Sequence, residues 1–368
     1  MPAKWVRALR RKKERGSKEN RPVSGVGAKV GSGAAATTRQ LVQTDCRASR
    51  HQRARESHLI RAFSRCHASH GSRPVLNRQK TILSLLSRVG RPLSPTVFVK
   101  LVFLLRQETD FGINSSFYDF VPYRFGPFSF ALYSELRNLR QNGYVATEED
   151  QVALCGRTIE LVQAETEKLP LAVQDAIGDV LSRYGQMNHG DLLRSVYTRY
   201  PWFAINSELP ERQMTLLPRP RKASFAVYTA GYEGKSVDAF FNDLLKQGLE
   251  VVVDVRNNPV SRKYGFSRLR LREIAIRLGL EYRHMPTLGI PSGARAELSD
   301  FASYQRLLQR YERMMLPKHS SDVTILASLM CQRPSVLVCV EKDIRCCHRS
   351  RLAETVARRT SLDIAHLT

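Results

Sequence analysis

Five side chains with the chemistry to react or to bind a metal lie close together near the C-terminus. Cys339, Glu341, Cys347, His348 and Arg349 fall within eleven residues. A thiol beside an imidazole and a guanidinium can serve as a nucleophile, a redox group or a metal ligand. A nearby carboxylate can move protons or attack a sugar carbon. We expect a functional site here, in which Glu341, Cys347 and His348 are candidate catalytic residues.

The segments around this cluster indicate where it lies in the fold. Residues 335–340 form a continuous apolar run rich in β-branched side chains, which is typical of a strand buried on both faces. Residues 350–359 have apolar side chains at helical spacing. In open α/β sheets, ligands bind where a strand is followed by a polar loop and the N-terminus of a helix. We expect this position, beside His348 and Arg349, to lower the pKa of the Cys347 thiol.

Three further strands are predicted upstream, at residues 225–230, 250–256 and 281–285, with helices between them. This alternation predicts an α/β fold with a mostly parallel, Rossmann-like sheet. Polar residues end each strand, and the carboxyl ends of parallel strands share one edge, so we expect these residues to converge with the C-terminal cluster. Glu233 and Asp254 are candidate catalytic carboxylates. The candidate substrate-binding residues are Tyr232, Arg256, His284, Cys339 and Arg349.

Several chemistries are compatible with this set of residues. Two carboxylates among Glu233, Asp254 and Glu341 could cleave a glycosidic bond, with the arginines Arg256 and Arg349 holding a phosphate. Alternatively, Asp254 could form a buried ion pair with those arginines that only fixes the strand ends. Zinc is a weaker alternative, because its ligands Cys339, Cys347, His348 and His284 match no known finger spacing.

The C-terminal motifs also carry a family resemblance. They occur in order along residues 225–368, which resemble the bacterial and archaeal family numbered 488 among domains of unknown function. The resemblance implies an α/β domain of enzymatic character and names no substrate. One departure is Arg345-Cys346, where related sequences tend to have other polar residues. The matching segments are Gly231-Tyr-Glu-Gly234, Val253-Asp254-Val-Arg256, Tyr282-Arg-His284-Met-Pro286, Cys339-Val-Glu341 and Cys347-His348-Arg349.

Residues 77–210 are predicted to form a helical domain of winged-helix type. Three amphipathic helices precede a short hairpin, and the aromatic stretch at 120–128 is expected to be a turn-rich loop. The region loosely resembles helical domains of prokaryotic toxin–antitoxin and defence proteins. Arg137 and Arg140 on the third helix are candidate nucleic-acid contacts. The acidic hairpin tip at 148–150 would repel phosphates, so a protein partner is the alternative. Residues 211–224 read as a linker.

Charge and cysteine content limit the possible roles of the N-terminal segment and the cellular compartment of the protein. The 368 residues carry a net charge of +24, and residues 1–76 contain eighteen Lys and Arg against four acidic residues. We expect this segment to be a disordered basic leader, with a nucleic-acid-binding arm, a transit peptide or a misplaced start as alternatives. Seven scattered cysteines fit a reducing cytoplasm. No apolar run is long enough to span a membrane.

Two functions are consistent with these features. The first is an enzyme acting on a phosphorylated or nucleic-acid substrate, with the helical domain recruiting nucleic acid or a protein. The second is a non-catalytic regulator, in which the α/β domain senses a ligand and the helical domain binds DNA. The acidic hairpin tip favours the enzyme.

Overall fold

The structure is a computed structural model that describes residues 75–146, 151–214, 222–295, 298 and 300–367. The predicted leader through residue 74, the acidic tip at 148–150 and residues 215–221 of the linker lie outside the described residues. The chain divides into two compact units. One joins the residues up to Phe98 with Arg137–Pro170, and the other joins Val99–Leu136 with Leu171–Thr368.

Helices predominate before residue 200, and the longer strands come after residue 226. The helices are α1 Asn77–Val89, α2 Pro95–Glu108, α3 Phe130–Gln141, α4 Ile159–Glu167, α5 Leu171–Tyr184, α6 His189–Arg199, α7 Val237–Gln247, α8 Arg268–Arg277, α9 Phe301–Arg310, α10 Ser320–Gln332 and α11 His348–Thr360. The strands are β1 Val121–Tyr123, β2 Gly126–Phe128, β3 Val145–Ala146, β4 Ala153–Leu154, β5 Val227–Gly231, β6 Val251–Asp254, β7 Glu281–His284, β8 Ser335–Cys339 and β9 Ile364–Leu367.

The first unit is built around the contact of α1 with α4. The buried stripe of α1 includes Ile82, Leu85 and Leu86, and a Lys80–Glu165 ion pair joins the two helices. The expected hairpin is present, because β3 and β4 pair antiparallel. Helix α4 has no counterpart in the sequence-based prediction.

The second unit contains a five-stranded sheet in the order β7-β6-β8-β5-β9, and every pairing in it is parallel. The expected α/β class with a parallel sheet is therefore confirmed. Four of the five strands were predicted from the sequence, and the edge strand β9 was not. Strand β8 is central, so its carboxyl end is flanked by strand ends on both sides.

Alternate strand residues face two separate apolar layers, as the two-residue repeat of a strand requires. Tyr228, Val252 and Val336 lie on the face covered by α7 and α8. The neighbouring residues Val253 and Leu337 lie on the face covered by α9, α10 and α11. The edge of the sheet therefore offers two distinct environments, one above each face.

The aromatic stretch at 120–128 forms a small antiparallel hairpin, not the loop expected from the sequence. Strands β1 and β2 pair with Tyr123 opposite Gly126. The buried Lys100 supports the hairpin by donating hydrogen bonds to the carbonyls of Phe125 and Pro127, at 2.5 and 3.2 Å. Within the described residues, no helix combines the length and apolar character needed to cross a bilayer.

One buried carboxylate links α7 to the start of α3. Asp238 is fully buried and accepts hydrogen bonds from the backbone N–H groups of Phe130 and Ala131 and from the Ser129 hydroxyl, at 2.7–3.0 Å. These amide donors belong to the first turn of α3, which has no intrahelical acceptors for them. Asp238 therefore acts as a helix cap supplied from a distant part of the sequence.

Asp238→Ala is expected to lower the free energy of unfolding by about 2–4 kcal/mol, because it leaves buried donors without an acceptor. Asp243→Ala on the same helix is the matched control. The Asp243 side chain is 44 % exposed and forms an ion pair with Lys235, so its loss should cost less than about 1 kcal/mol. Urea unfolding of the full-length variants measures both values, and equal losses would contradict the capping role.

Candidate functional site

The candidate site lies at the carboxyl end of β8. Parallel pairing places Cys339 opposite Gly231 of β5 and Val338 opposite Asp254 of β6. The loop after β8 then leads directly into α11, whose first residue is His348. The polar ends of the three central strands thus lie along one edge of the sheet.

A thiol–carboxylate–imidazole cluster occupies this edge on the α11 side of the sheet. The Cys339 thiol donates to Glu341 Oε2 at 3.0 Å, and His348 Nδ1 lies 3.6 Å from Cys339 Sγ. One donor atom each from Cys339, Cys347 and His348 lies within 4.8 Å of the others. Cys339, Cys347 and His348 are 0, 1 and 4 % exposed, whereas Glu341 is half-buried. Three members of the cluster are therefore enclosed, and Glu341 is the partly exposed one.

The imidazole of His348 is held from two sides. Its Nε2 atom lies 3.2 Å from the carbonyl oxygen of Val255, and the ring packs edge-on against Tyr311 at a centroid distance of 5.5 Å. Tyr311 is itself fixed by donating a hydrogen bond to the Leu288 carbonyl at 2.6 Å. Sequence reasoning missed Tyr311, because it lies in a π-helical turn far from the site motifs.

Burial sets the protonation of the Cys347 thiol. It raises the pKa of Cys347 well above its usual value, so the lowered pKa expected from the sequence is wrong. The thiol lies at the N-cap of α11, but dehydration of its thiolate outweighs the favourable helix terminus. Burial also tends to raise the pKa of Glu341, but hydrogen bonds from the Cys347 and Cys339 thiols lower it below its usual value.

Asp254 and Arg256 form a buried ion pair on the opposite face of the sheet. Two side-chain contacts join them, Arg256 Nε to Asp254 Oδ1 at 2.8 Å and Arg256 Nη2 to Oδ2 at 2.6 Å. Arg256 Nη1 also donates to the hydroxyl of Tyr232 and the carbonyl of Phe266, and the Tyr282 hydroxyl donates to Asp254. These groups are engaged with one another, which is the ion-pair alternative raised from the sequence.

Arg349 supports the backbone of the loop after β8. Its side chain is 1 % exposed and donates to the carbonyls of Glu341 and Lys342, at 2.5 and 3.2 Å. Gly231 permits this arrangement, because a Cβ there would lie 2.0 Å from the Glu341 carbonyl oxygen. Gly231 and Arg349 together fix where Glu341 leaves the sheet.

The remaining predicted site residues lie outside the cluster. Glu233 is exposed, and its carboxylate accepts a hydrogen bond from the backbone N–H of Lys342 at 2.9 Å. His284 lies on the outer strand β7, with Nε2 2.9 Å from the carbonyl oxygen of Arg256. It is not part of the group formed by Cys339, Cys347 and His348. The structure therefore unites three of the four zinc ligands considered from the sequence.

Comparison with known families supports the resemblance of the α/β region. A family model described as domain of unknown function DUF488 matches residues 236–356. The match includes every candidate residue from Asp254 to Arg349, whereas Tyr232 and Glu233 precede it. Neither the comparison with curated proteins nor that with solved structures gave a match. The C-terminal domain is thus similar to this family, whose description gives no activity.

Arg256→Met should lower the free energy of unfolding by about 3–5 kcal/mol, since it leaves the Asp254 carboxylate buried without its partner. The control is Arg270→Met on α8, where the side chain is 50 % exposed and pairs with Glu273. That surface pair is expected to contribute less than about 1 kcal/mol. Urea unfolding of both variants measures these losses in the free energy of unfolding. A loss for Arg256→Met no larger than that for Arg270→Met would show that the ion pair is not a structural element.

Proposed function

We propose that residues 225–368 form an enzyme, a hydrolase or transferase, that acts on a phosphorylated or nucleic-acid substrate. The thiol–carboxylate–imidazole cluster at the end of β8 is its reaction centre. The proposal rests mainly on one observation, the grouping of the buried Cys339, Cys347 and His348 with the partly buried Glu341. Glu341 is the group of this cluster through which a substrate makes contact and a proton is transferred.

The geometry favours chemistry at this cluster over glycosidic cleavage by a pair of carboxylates. Asp254 is occupied by Arg256 and Tyr282, so it has no ionised oxygen directed at a substrate. Glu233 lies across the loop from Glu341 and binds a backbone amide. The described cysteines are free, which suits a reducing compartment, and we place the enzyme in the cytoplasm.

Exposed cationic residues at the same edge of the sheet support a phosphate-bearing substrate. Arg262, Lys263 and Arg268 follow β6 at the same edge of the sheet and are exposed. The Lys263 amine reaches the carbonyl of Tyr232 at 3.5 Å, next to the strand end that flanks the cluster. Helix α8 begins here with no side-chain cap and no acidic residue in its first turn, which favours an anion.

These exposed residues bind the phosphate better than Arg256 and Arg349, the pair predicted from the sequence. Arg256 and Arg349 are nearly fully buried, and the Nη1 atom of each donates to a protein acceptor. An arriving phosphate would have to displace those acceptors. Arg262 and Arg268 carry the same charge at the surface and need no such displacement, so we assign anion binding to them.

The proposed activity is tested with full-length protein and a mixture of nucleotides, sugar phosphates and short RNA and DNA strands. Mass spectrometry should show that the wild type consumes at least one phosphate-bearing compound. Glu341→Gln should slow that reaction by about 100-fold or more, as loss of a general acid–base does. An Arg262→Ala/Arg268→Ala double variant should raise KM more than it lowers kcat.

Glu354→Gln on α11 is the control, because this carboxylate pairs with Arg351 on the helix and should leave the rate unchanged. Consumption of no phosphate-bearing compound by the wild type would contradict the proposal. So would a Glu341→Gln variant that reacts at the wild-type rate.

A second candidate function is a ligand-sensing regulator that binds DNA through a winged-helix-like N-terminal domain. In a variant of this candidate, residues 77–210 bind a protein partner instead of DNA. The observation that favours DNA is the surface of α3, where Arg140 is exposed and Arg137 half-buried just before the β3–β4 hairpin. Full-length Arg137→Ala/Arg140→Ala should bind duplex DNA more weakly than wild type, with a shallower salt dependence in fluorescence anisotropy. Unchanged affinity at every salt concentration would exclude this helix as the DNA contact.

A further inference from the structure

We infer that Cys339, Cys347 and His348 bind a zinc ion, with Glu341 placed to complete a tetrahedral site. Residues from the end of β8 and the start of α11 supply the donor atoms, so the ion would lie at the junction of the central strand and its following helix. The inference concerns the cluster assigned above to the reaction, but it rests on distances and donor type alone. It holds equally if the proposed activity fails.

The distances between the donor atoms match those of a zinc site. Zinc binds thiolate sulfur at about 2.3 Å and imidazole nitrogen at about 2.0–2.1 Å, so a tetrahedron holds these two atoms about 3.6 Å apart. The separation of Cys339 Sγ from His348 Nδ1 is 3.6 Å. The Cys347 sulfur lies within 4.8 Å of the Cys339 sulfur and of a ring nitrogen of His348. Small rotamer adjustments would bring all three onto one ion.

The orientation of His348 is that of a metal-ligating histidine. Its Nε2 atom faces the carbonyl oxygen of Val255, which can only accept, so the ring hydrogen resides on Nε2. Nδ1 therefore presents a lone pair to the two sulfur atoms. Donation of the second ring N–H to a backbone carbonyl is the usual way in which a metal-bound imidazole is fixed. The edge-on Tyr311 ring holds the same orientation.

Glu341 provides the fourth position and the route for the ion. Its Oε2 atom already lies 3.0 Å from Cys339 Sγ, and it is the half-exposed member of an otherwise enclosed group. On binding, each thiol gives its proton to water, and the Zn²⁺ charge replaces those protons. The buried guanidinium of Arg349, bonded to the Glu341 carbonyl, offsets the excess negative charge of two thiolates and a carboxylate.

The donor set selects zinc over the other common divalent ions. Two thiolates and an imidazole suit a soft or borderline ion, whereas Mg²⁺ and Ca²⁺ require oxygen ligands.

The test uses untagged full-length protein, expressed with added zinc and passed through a desalting column. Elemental analysis should give about one zinc per chain. Metal-free protein titrated with Co²⁺ should develop thiolate-to-cobalt charge-transfer bands and the visible bands of a tetrahedral ion. Cys339→Ser and Cys347→Ser should each lose most of the retained zinc and the charge-transfer intensity. Chelation should lower the Tm of the wild type.

Cysteines elsewhere in the chain provide the matched controls. Cys331→Ser on the exposed surface of α10, and a Cys46→Ser/Cys66→Ser double variant of the N-terminal segment, should keep the full zinc content. The wild-type measurements do not depend on the folding of any variant. A wild type with less than a tenth of an equivalent of zinc and no cobalt–thiolate bands overturns the inference. Full zinc retention by folded Cys339→Ser/Cys347→Ser overturns it too.

The results of the zinc and cobalt measurements can be distinguished from those of the activity test. Zinc bound by the wild type with no substrate consumed would support the metal site and contradict the proposed enzyme. A wild type that retains no zinc and shows no cobalt–thiolate bands, yet consumes a phosphate-bearing compound, would contradict the metal site and support the enzyme.

Discussion

The hydrogen-bonded ladders that β8 makes with β5 and β6 determine where every group of the candidate site lies. Both pairings are parallel, so three strands deliver their polar ends to one edge. Because side chains alternate along a strand, a shift of one residue would send Cys339 to the other face. The buried apolar residues on both faces of β8 resist such a shift. Register is therefore the constraint on which the site depends.

This alternation separates two polar groups that look alike in the sequence. Asp254 and Arg256 lie on the face covered by α7 and α8, where Tyr232 and Tyr282 complete their hydrogen bonds. Cys339 lies on the face covered by α11 and meets His348 there. The first group is saturated by its own contacts and behaves as a structural element. In the second, two sulfur atoms and a ring nitrogen lie within 4.8 Å of one another, which is the arrangement expected of a binding or reacting site.

Much of this fold could be predicted from the sequence, because a strand that is buried on both faces is apolar at nearly every position. The apolar run at 335–340 predicted β8, and alternation with helices predicted the parallel sheet. Strand β9 escaped prediction because Ile364-Ala-His-Leu367 is short and lies at the sheet edge, where composition is less constrained. The hairpin at 121–128 depends on tertiary support from Lys100, which no local pattern reveals.

The grouping of four candidate residues was predictable from the sequence, whereas the energetics of the cluster were not. Cys339, Glu341, Cys347 and His348 were singled out by type and spacing, and the structure brings them together. The protonation of Cys347 was not predictable, because dehydration depends on how tightly distant segments close over the thiol. Likewise, the sequence left open whether Arg256 faces solvent or a buried carboxylate, which only the packing of Tyr232 and Phe266 decides.

We infer that the end of β8 and the start of α11 together form one enclosed metal-binding site. A crystal structure of the zinc-supplemented protein, with diffraction recorded on both sides of the zinc absorption edge, tests it most directly. The account predicts a single anomalous peak within bonding distance of Cys339 Sγ, Cys347 Sγ and His348 Nδ1, beside the Glu341 carboxylate. A structure in which these side chains point apart, or in which the peak lies elsewhere on the chain, would contradict it.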